Sequence, residues 1–302
     1  MPTAPKEFAS LLELTTAIPD EAAAIAHFTA IRWKNGEYCP YCGHDKIYHF
    51  SNLRSHKCAQ CKARFSIKVG TIFEDSKLPL RTWMLAVWFI SSHKKGIAST
   101  QLAKDLNVTQ KTAWFMMHRL RHAARTRSFN RRLKGDVEAD ETFVGGKDKN
   151  RVTRKRGDKA KAVVMGMLER NGELRAFQIE KAWDVIKEVD KHIEPGSRLL
   201  TDEYQPYRKA ARQTGLDHGA VKHSGGEYVR GDVHCNSIEG YWSQLKRQIF
   251  GIHHWVSRKH LNRYVGESVW RYNRRDVTEQ FRFNEILAVT CGSRLTYPEL
   301  IA

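Results

Sequence analysis

Asp136-Val137-Glu138-Ala139-Asp140-Glu141-Thr142-Phe143-Val144 is the stretch on which the fold turns. Side chains alternate across a β-strand, so Asp136, Glu138 and Asp140 share one face, with Val137, Ala139 and Glu141 on the other. Acids along one strand face fit either a solvated edge strand or a site where cations neutralise them, because burying unpaired carboxylates is costly. The surrounding sequence favours the second. Leu199-Leu200-Thr201-Asp202 is an apolar run ending in an acid, the pattern of a central strand whose last side chain emerges at the sheet's rim. Glu203 competes with Asp202; the strand-end position favours Asp202. Asn236-Ser-Ile-Glu239-Gly-Tyr-Trp-Ser-Gln-Leu-Lys246-Arg247 opens a helix, with Asn236, Glu239 and Lys246 on one broad face. Asn-x-x-Glu is also a capping box, which would make both residues merely structural. Convergence with Asp140 and Asp202 favours a metal role for Glu239 and a DNA-phosphate contact for Lys246.

Strand-like runs at 162–169 and 174–179 and helical patterns at 183–192 and 204–213 make this half of the chain α/β. A Gly-rich loop spans 223–231, and the remainder reads as helical through residue 288. Between the first two strands lies a Gly-hinged basic hairpin tip, 145–156, whose Lys147, Arg154, Lys155 and Arg156 are suited to phosphates.

Upstream, Cys39-Pro-Tyr-Cys42 and Cys58-Ala-Gln-Cys61 form C-x₂-C-x₁₅-C-x₂-C, two knuckles that can close a tetrahedral, structural zinc site. His44, His49 and His56 are unnecessary as ligands and are expected at the surface or facing nucleic acid. Residues 96–114 read as helix, turn, helix. Asn107 stops the first helix and Thr109 caps the second. Ala113, Trp114, Met117 and Leu120 are expected inside, leaving Gln110, Lys111, Thr112, Phe115 and Arg119 to reach a major groove. Basic residues at His118, Arg121, His122, Arg125 and Arg127 strengthen that expectation. The first 34 residues read as a helical packing element.

The expected domains are a helical segment (1–34), a zinc ribbon (35–73), a helix-turn-helix region (74–130), a catalytic domain with C-terminal helices (131–290) and a tail (291–302). At 302 residues the chain should hold about two or three domains, at roughly 150 residues each. The net charge of +18 points to a polyanionic partner, with binding that weakens steeply in salt. No secretory pattern is visible, and the longest apolar run, 83–90, is far below the ~20 residues of a membrane span. The expected location is the cytoplasm, with the nucleoid.

The chain resembles bacterial insertion-sequence DDE transposases of the ISXO-like type, the 1595 group related to Merlin elements. The resemblance runs from about Arg32 to Arg275. It is carried by Arg32-Trp-Lys-Asn-Gly-Glu-Tyr-Cys-Pro-Tyr-Cys-Gly43, Gly70-Thr-Ile-Phe73, Glu138-Ala-Asp-Glu-Thr-Phe-Val-Gly-Gly-Lys147, Thr201-Asp-Glu-Tyr204, His234-Cys-Asn-Ser-Ile-Glu-Gly-Tyr-Trp242, Val256-Ser-Arg-Lys-His-Leu261 and Arg271-Tyr-Asn-Arg-Arg275. It implies an RNase H-like core that cleaves transposon ends and transfers the freed 3′-hydroxyl to target DNA. Asp140 and Asp202 carry over as metal ligands. Members of the group can show asparagine at the third position, so Asn236 competes with Glu239. Glu239 is favoured because a carboxylate binds Mg²⁺ better than an amide and Lys246 lies seven residues on.

The resulting expectation is two-metal phosphoryl transfer with Mg²⁺ (or Mn²⁺) held by Asp140, Asp202 and Glu239. Lys246 and Arg247 would contact DNA, and two transposon ends would need a homodimer or larger assembly. The competing readings are a zinc-ribbon and helix-turn-helix DNA-binding regulator, and an RNase H-type nuclease that cuts without joining.

Overall fold

The computed structural model describes residues 8–50, 55–125, 131–145 and 161–302. The chain divides into two compact units, one formed by the segments up to 126 and from 276 to 302, the other by 127–275.

In the first unit, α1 (Leu11–Ala17) and α2 (Glu21–Arg32) each begin at a side-chain cap, Ser10 and Asp20. A three-stranded antiparallel ribbon follows: β1 (Ile47–His49), β2 (His56–Cys58) and β3 (Arg64–Phe65), the last a strand the sequence reading did not anticipate. The ribbon's own apolar area is small. His56 fills part of it, buried and edge-on to the Trp33 ring with centroids 5.0 Å apart. Burial and the neighbouring His49 and Arg32 lower its pKa to about 4. The expectation of a surface or nucleic-acid-facing His56 is therefore corrected: it is a neutral packing residue.

α3 (Leu80–Ser92) is buried along Trp83, Met84, Val87 and Ile90. Phe73 links it to α2 through ring contacts to Trp83 and Phe28. α4 (Ser99–Asp105) and α5 (Gln110–Arg125) are joined by a turn in which Asn107 adopts φ +50°, the left-handed geometry expected of it. The Thr109 hydroxyl accepts from the Thr112 amide and so caps α5.

The second unit is a five-stranded mixed sheet in the order β6-β5-β4-β7-β8. β4 (Asp136–Val144), β5 (Ala162–Glu169) and β6 (Leu174–Ile179) run antiparallel, while β7 (Arg198–Thr201) and β8 (Asp217–Ala220) extend it in parallel from β4. β8 was legible only as a short apolar piece at Ala220–Val221, because exposed Asp217 and half-buried His218 hide the pattern. α6 (Val185–His192) and α7 (Gln205–Thr214) cover one face, burying Val185, Val189, Tyr207 and Ala210 against Val137, Ala139 and Leu199. On the other face, α8 (Asn236–Gln248) and α9 (Arg258–Asn273) bury Ile238, Trp242, Leu245 and Val265 against Val164, Leu168 and Ala176. β5 is buried on both sides, which explains its unbroken apolar run Ala162–Leu168.

The chain then returns to the first unit, where α10 (Glu279–Val289) packs on α2, α3 and α5, and α11 (Tyr297–Ile301) closes the C-terminus with Leu300 buried. Two domain expectations are corrected here. Residues 276–290 belong with the N-terminal segments rather than with the sheet. Residues 291–302 are an integral part of that unit, paired through the Thr71–Cys291 bridge, and no tail.

Candidate active site and metal centre

β4 divides its acids by parity. On the α7 side, Glu141 lies near Tyr207. Burial and the charges of Asp140 and Asp202 push its pKa up to about 8. On the α8 side stand Glu138 and Asp140, and they have different fates.

Glu138 is fully buried. Its Oε2 accepts from the Ser237 and Ile238 amides at 2.9 and 3.1 Å, two of the free donors in the first turn of α8, and its Oε1 accepts from the Arg170 Nε at 3.0 Å. A carboxylate at a helix N-terminus satisfies orphan amides and favours the dipole. The α8 N-cap position is Cys235, without a side-chain cap bond. The Asn236–Glu239 capping box therefore does not form; a strand residue a hundred positions away replaces it. Asn236 is exposed and Glu239 half-exposed at the start of α8.

Among the described residues no cation pairs with Asp140. Its Oδ2 accepts from the Trp242 indole Nε1 at 2.9 Å. Its pKa is raised to about 6, first by burial and then by the charges of Asp202 and Glu239, while hydrogen bonds from the Glu141 backbone and Trp242 oppose the shift. β4 and β7 pair in parallel register through Glu138 and Leu200, so Asp140, within β4, and Asp202, just past the end of β7, each lie two residues beyond that pair. Asp202 Oδ1 accepts from the Tyr204 amide at 2.9 Å. Its rival Glu203 is engaged elsewhere, accepting from the Ser224 amide and hydroxyl at 3.2 and 2.8 Å. His223 Nε2 lies 4.0 Å from Glu239 Oε1, and the buried Cys235 thiol is pushed up by desolvation and by Glu138, Asp140, Asp202 and Glu239. Asp202 and Glu239 lie near enough to Asp140 for their charges to raise it. Three such carboxylates are a donor set of hard oxygens that fits a divalent cation such as Mg²⁺. Their oxygens do not all lie within 4.8 Å of one another; among the described residues only the four cysteines form a set that tight.

Gly166 makes this arrangement possible. It pairs with Asp140 across β4 and β5, and a Cβ there would lie 2.6 Å from Trp242 Cη2 and 2.8 Å from Ile238 Cδ1. The missing side chain lets the indole lie on the sheet and reach Asp140.

In the ribbon, Sγ–Sγ separations are 3.7 Å for Cys39–Cys61 and 3.5 Å for Cys42–Cys58. Four thiolates ~2.3 Å from a tetrahedral zinc would stand about 3.8 Å apart. Each knuckle ends on a left-handed residue, Gly43 (φ +77°) and Lys62 (φ +61°), and the Gln60 amide donates to Cys58 Sγ at 3.3 Å. The cluster fits zinc.

A family model of the ISXO2-like transposase domain matches residues 132–273, and one of the transposase zinc-ribbon domain matches residues 19–64. The chain thus carries an ISXO2-like transposase domain and a transposase zinc-ribbon domain. A protein of Halobacterium salinarum described as an uncharacterized protein in transposable element ISH50 is 28% identical over 275 residues, covering 84% of this chain and 91% of the relative. The transposase match coincides with the unit built on the five-stranded sheet. The zinc-ribbon match begins at residue 19 and so takes in α2 along with the cysteines. No described helix is long and apolar enough to cross a membrane.

In this ISXO2-like chain the expected DNA contacts divide. Lys246 and Arg247 are exposed on α8. Gln110 and Lys111 are exposed at the start of α5, Gln110 donating to Ser99 Oγ at 3.0 Å and Lys111 Nζ lying 4.9 Å from the Tyr297 ring centre. Thr112 is half-buried beside Thr109, its hydroxyl 2.8 Å away. Arg119 is a correction: it is 7% exposed and donates to the carbonyls of Leu295, Ile72 and Glu74 at 3.1, 2.8 and 2.9 Å. Its guanidinium joins three segments of the first unit and cannot enter a groove. His118 and Arg121, counted toward a basic DNA face, are buried as well. The period of α5 put them inside, but their charge concealed it. Lys147, Arg154, Lys155, Arg156 and Arg127 lie outside the described residues.

Proposed function

We propose that the chain is a DNA transposase that cleaves transposon ends and joins the freed 3′-hydroxyl to target DNA at Asp140, Asp202 and Glu239. One observation carries the reading: Asp140 within β4 and Asp202 just past the end of the parallel neighbour β7 each lie two residues beyond the Glu138–Leu200 pair, and the charges of Asp202 and Glu239 add to burial in raising Asp140. The sheet order, antiparallel β6-β5-β4 continued in parallel by β7 and β8 with helices on both faces, supports an RNase H-like core. The α4–α5 pair, with its left-handed Asn107 turn and exposed Gln110 and Lys111, supports a helix-turn-helix DNA contact.

Mg²⁺, when bound, would supply Lewis-acid activation of the attacking oxygen and stabilisation of the leaving one. The chain's own groups do the rest. Trp242 orients Asp140, the Tyr204 amide orients Asp202, and Glu138 fixes the helix that presents Glu239. Lys246, two turns beyond Glu239, would contact a phosphate of the scissile strand. Glu239 is preferred to Asn236 as the third ligand because its charge acts on Asp140. The ribbon would hold structural zinc, and a homodimer or larger assembly would bring two ends together.

The test is Asp140→Asn in the full chain, with duplex carrying the element's ends. Loss of Mg²⁺-dependent cleavage with DNA binding retained supports the enzyme; unchanged cleavage would sink it. Pre-cut ends with a free 3′-hydroxyl and a target plasmid separate transposition from simple nicking: joined product is expected, and its absence leaves a nuclease. Glu239→Gln abolishing cleavage where Asn236→Ala only slows it would assign the third ligand.

A further inference from the structure

α8 does not end in an ordinary cap. It runs into a π-helical turn, Ile249–His253, and the next residues form a tight corner before α9. Three side chains anchor the corner. Ile249 is buried with Leu261 and Val265, Val256 packs on the same cluster, and the His253 ring stands edge-on to Tyr264 with centroids 4.7 Å apart. Between these anchors, His254 adopts φ +58°, ψ −46°, a conformation side-chain-bearing residues rarely take. The Trp255 amide donates back to the His253 carbonyl at 2.6 Å. The result is an indole held away from the core, 71% exposed, the most exposed large apolar side chain among the described residues of its unit. Phe250, on the same corner, is 49% exposed.

Large aromatic side chains are seldom left this open, and here a strained, anchored backbone does so. The surrounding charge identifies the partner. No acid occurs between Glu239 and Glu267, whereas Lys246, Arg247, Arg258 and Lys259 are all exposed around the corner. The surface fits a polyanion with flat, apolar faces. Glu239 and the end of α8 are nine residues apart, roughly 14 Å at ~1.5 Å per residue. That is about four base steps at ~3.4 Å each. Bases within a duplex hide their faces in the stack; an unpaired base exposes one.

We propose that Trp255 is a stacking platform for an unpaired base of the DNA strand lying a few nucleotides from the carboxylate site, with the flanking cations holding its backbone. This rests on the DNA-processing reading above.

The experiment measures full-chain binding, without divalent cation, to a short duplex with a single-stranded tail and to the same duplex blunt-ended. A 2-aminopurine in the tail reports stacking. Trp255→Ala is expected to weaken binding to the tailed DNA by about tenfold. It should also abolish quenching of the 2-aminopurine while leaving the blunt duplex nearly unaffected. Trp255→Phe should keep most of both signals, and Arg258→Ala should weaken both DNAs alike. Equal loss on the two DNAs, or unchanged quenching, overturns the proposal. So does a Trp255→Ala effect confined to oligomeric state or to binding of anionic phosphatidylserine vesicles. Wild-type protein that binds neither DNA overturns the DNA-processing reading itself, a distinct outcome.

Discussion

The indole N–H of Trp242 donates to the carboxylate of Asp140 across 2.9 Å, joining the helix that carries Glu239 to the strand that carries the first aspartate. A hydrogen bond to a charged group contributes about 1.5–3 kcal/mol. Here it also fixes which way the carboxylate faces. Trp242→Phe keeps the ring against Gly166 but loses the donor. Mg²⁺-dependent cleavage should then need several-fold more Mg²⁺ for half-maximal rate, with Tm only slightly lowered. A magnesium titration of the rate checks this; an unchanged midpoint would remove Trp242 from the site. Gly166→Ala, which drives a methyl into the same indole, should cost about 1–3 kcal/mol of stability by overpacking.

Glu138 is a positioning residue. Its carboxylate meets two α8 amides and Arg170 while fully buried. Glu138→Ala leaves Arg170 and the helix end without it, a loss of about 3–5 kcal/mol by analogy with broken buried pairs. Glu138→Gln keeps an acceptor and should lie between. Urea unfolding of the three proteins should rank them in that order, and equal stability of Ala and Gln variants would contradict the cap.

The ribbon cysteines should bind one zinc per chain, measurable by elemental analysis. Cys58→Ser should lose the metal and expose 39–61 to protease, because a segment this small gains much of its folding energy from metal. Retention of stoichiometric zinc by that variant would contradict the four-thiolate site.

Arg119 and Lys111 lie on one helix yet should respond oppositely. Arg119→Ala removes three carbonyl contacts from a buried guanidinium and should lower Tm by several degrees. Lys111→Ala should leave Tm unchanged and reduce the salt slope of DNA binding by about one. Measuring Tm and salt dependence for both variants decides it; a stability loss at Lys111 rather than Arg119 would reverse the assignment.

His192 sets a pH dependence on the second unit. Burial, then the positive charge of Arg175, lowers its pKa from 6.5 to about 4, and Arg175 Nη1 lies 2.9 Å from its Nδ1, with Glu188 3.2 Å from Nε2. Between those pH values the unfolded chain binds a proton at this ring that the folded chain excludes. Stability is therefore lost as pH falls from about 6.5 toward 4. His192→Gln, which does not titrate, should lose on the order of 1–3 kcal/mol less than wild type over that range. Parallel denaturation curves at pH 7 and pH 4.5 read the difference directly.

The features legible in the sequence were those set by short-range geometry. Thiolate spacing gave the ribbon, alternation gave the two faces of β4, and an apolar run ending in Asp202 gave the strand end beside Asp140. A capping hydroxyl at Thr109 and a left-handed Asn107 bounded α4 and α5. The tertiary structure alone decided where each charge is neutralised. Glu138 and Asp140 are equivalent by parity, yet one is held by a helix end 100 residues away and the other accepts from the Trp242 indole. Arg119 reads as a groove-facing base from its charge and is a buried strut by its contacts. Residues 276–290 read as a continuation of the sheet domain and 291–302 as a tail, and both belong instead with the N-terminal segments. Periodicity and ligand spacing are local properties of a chain, whereas the partner of a buried charge is chosen by whichever distant backbone groups the packed core brings within hydrogen-bond reach.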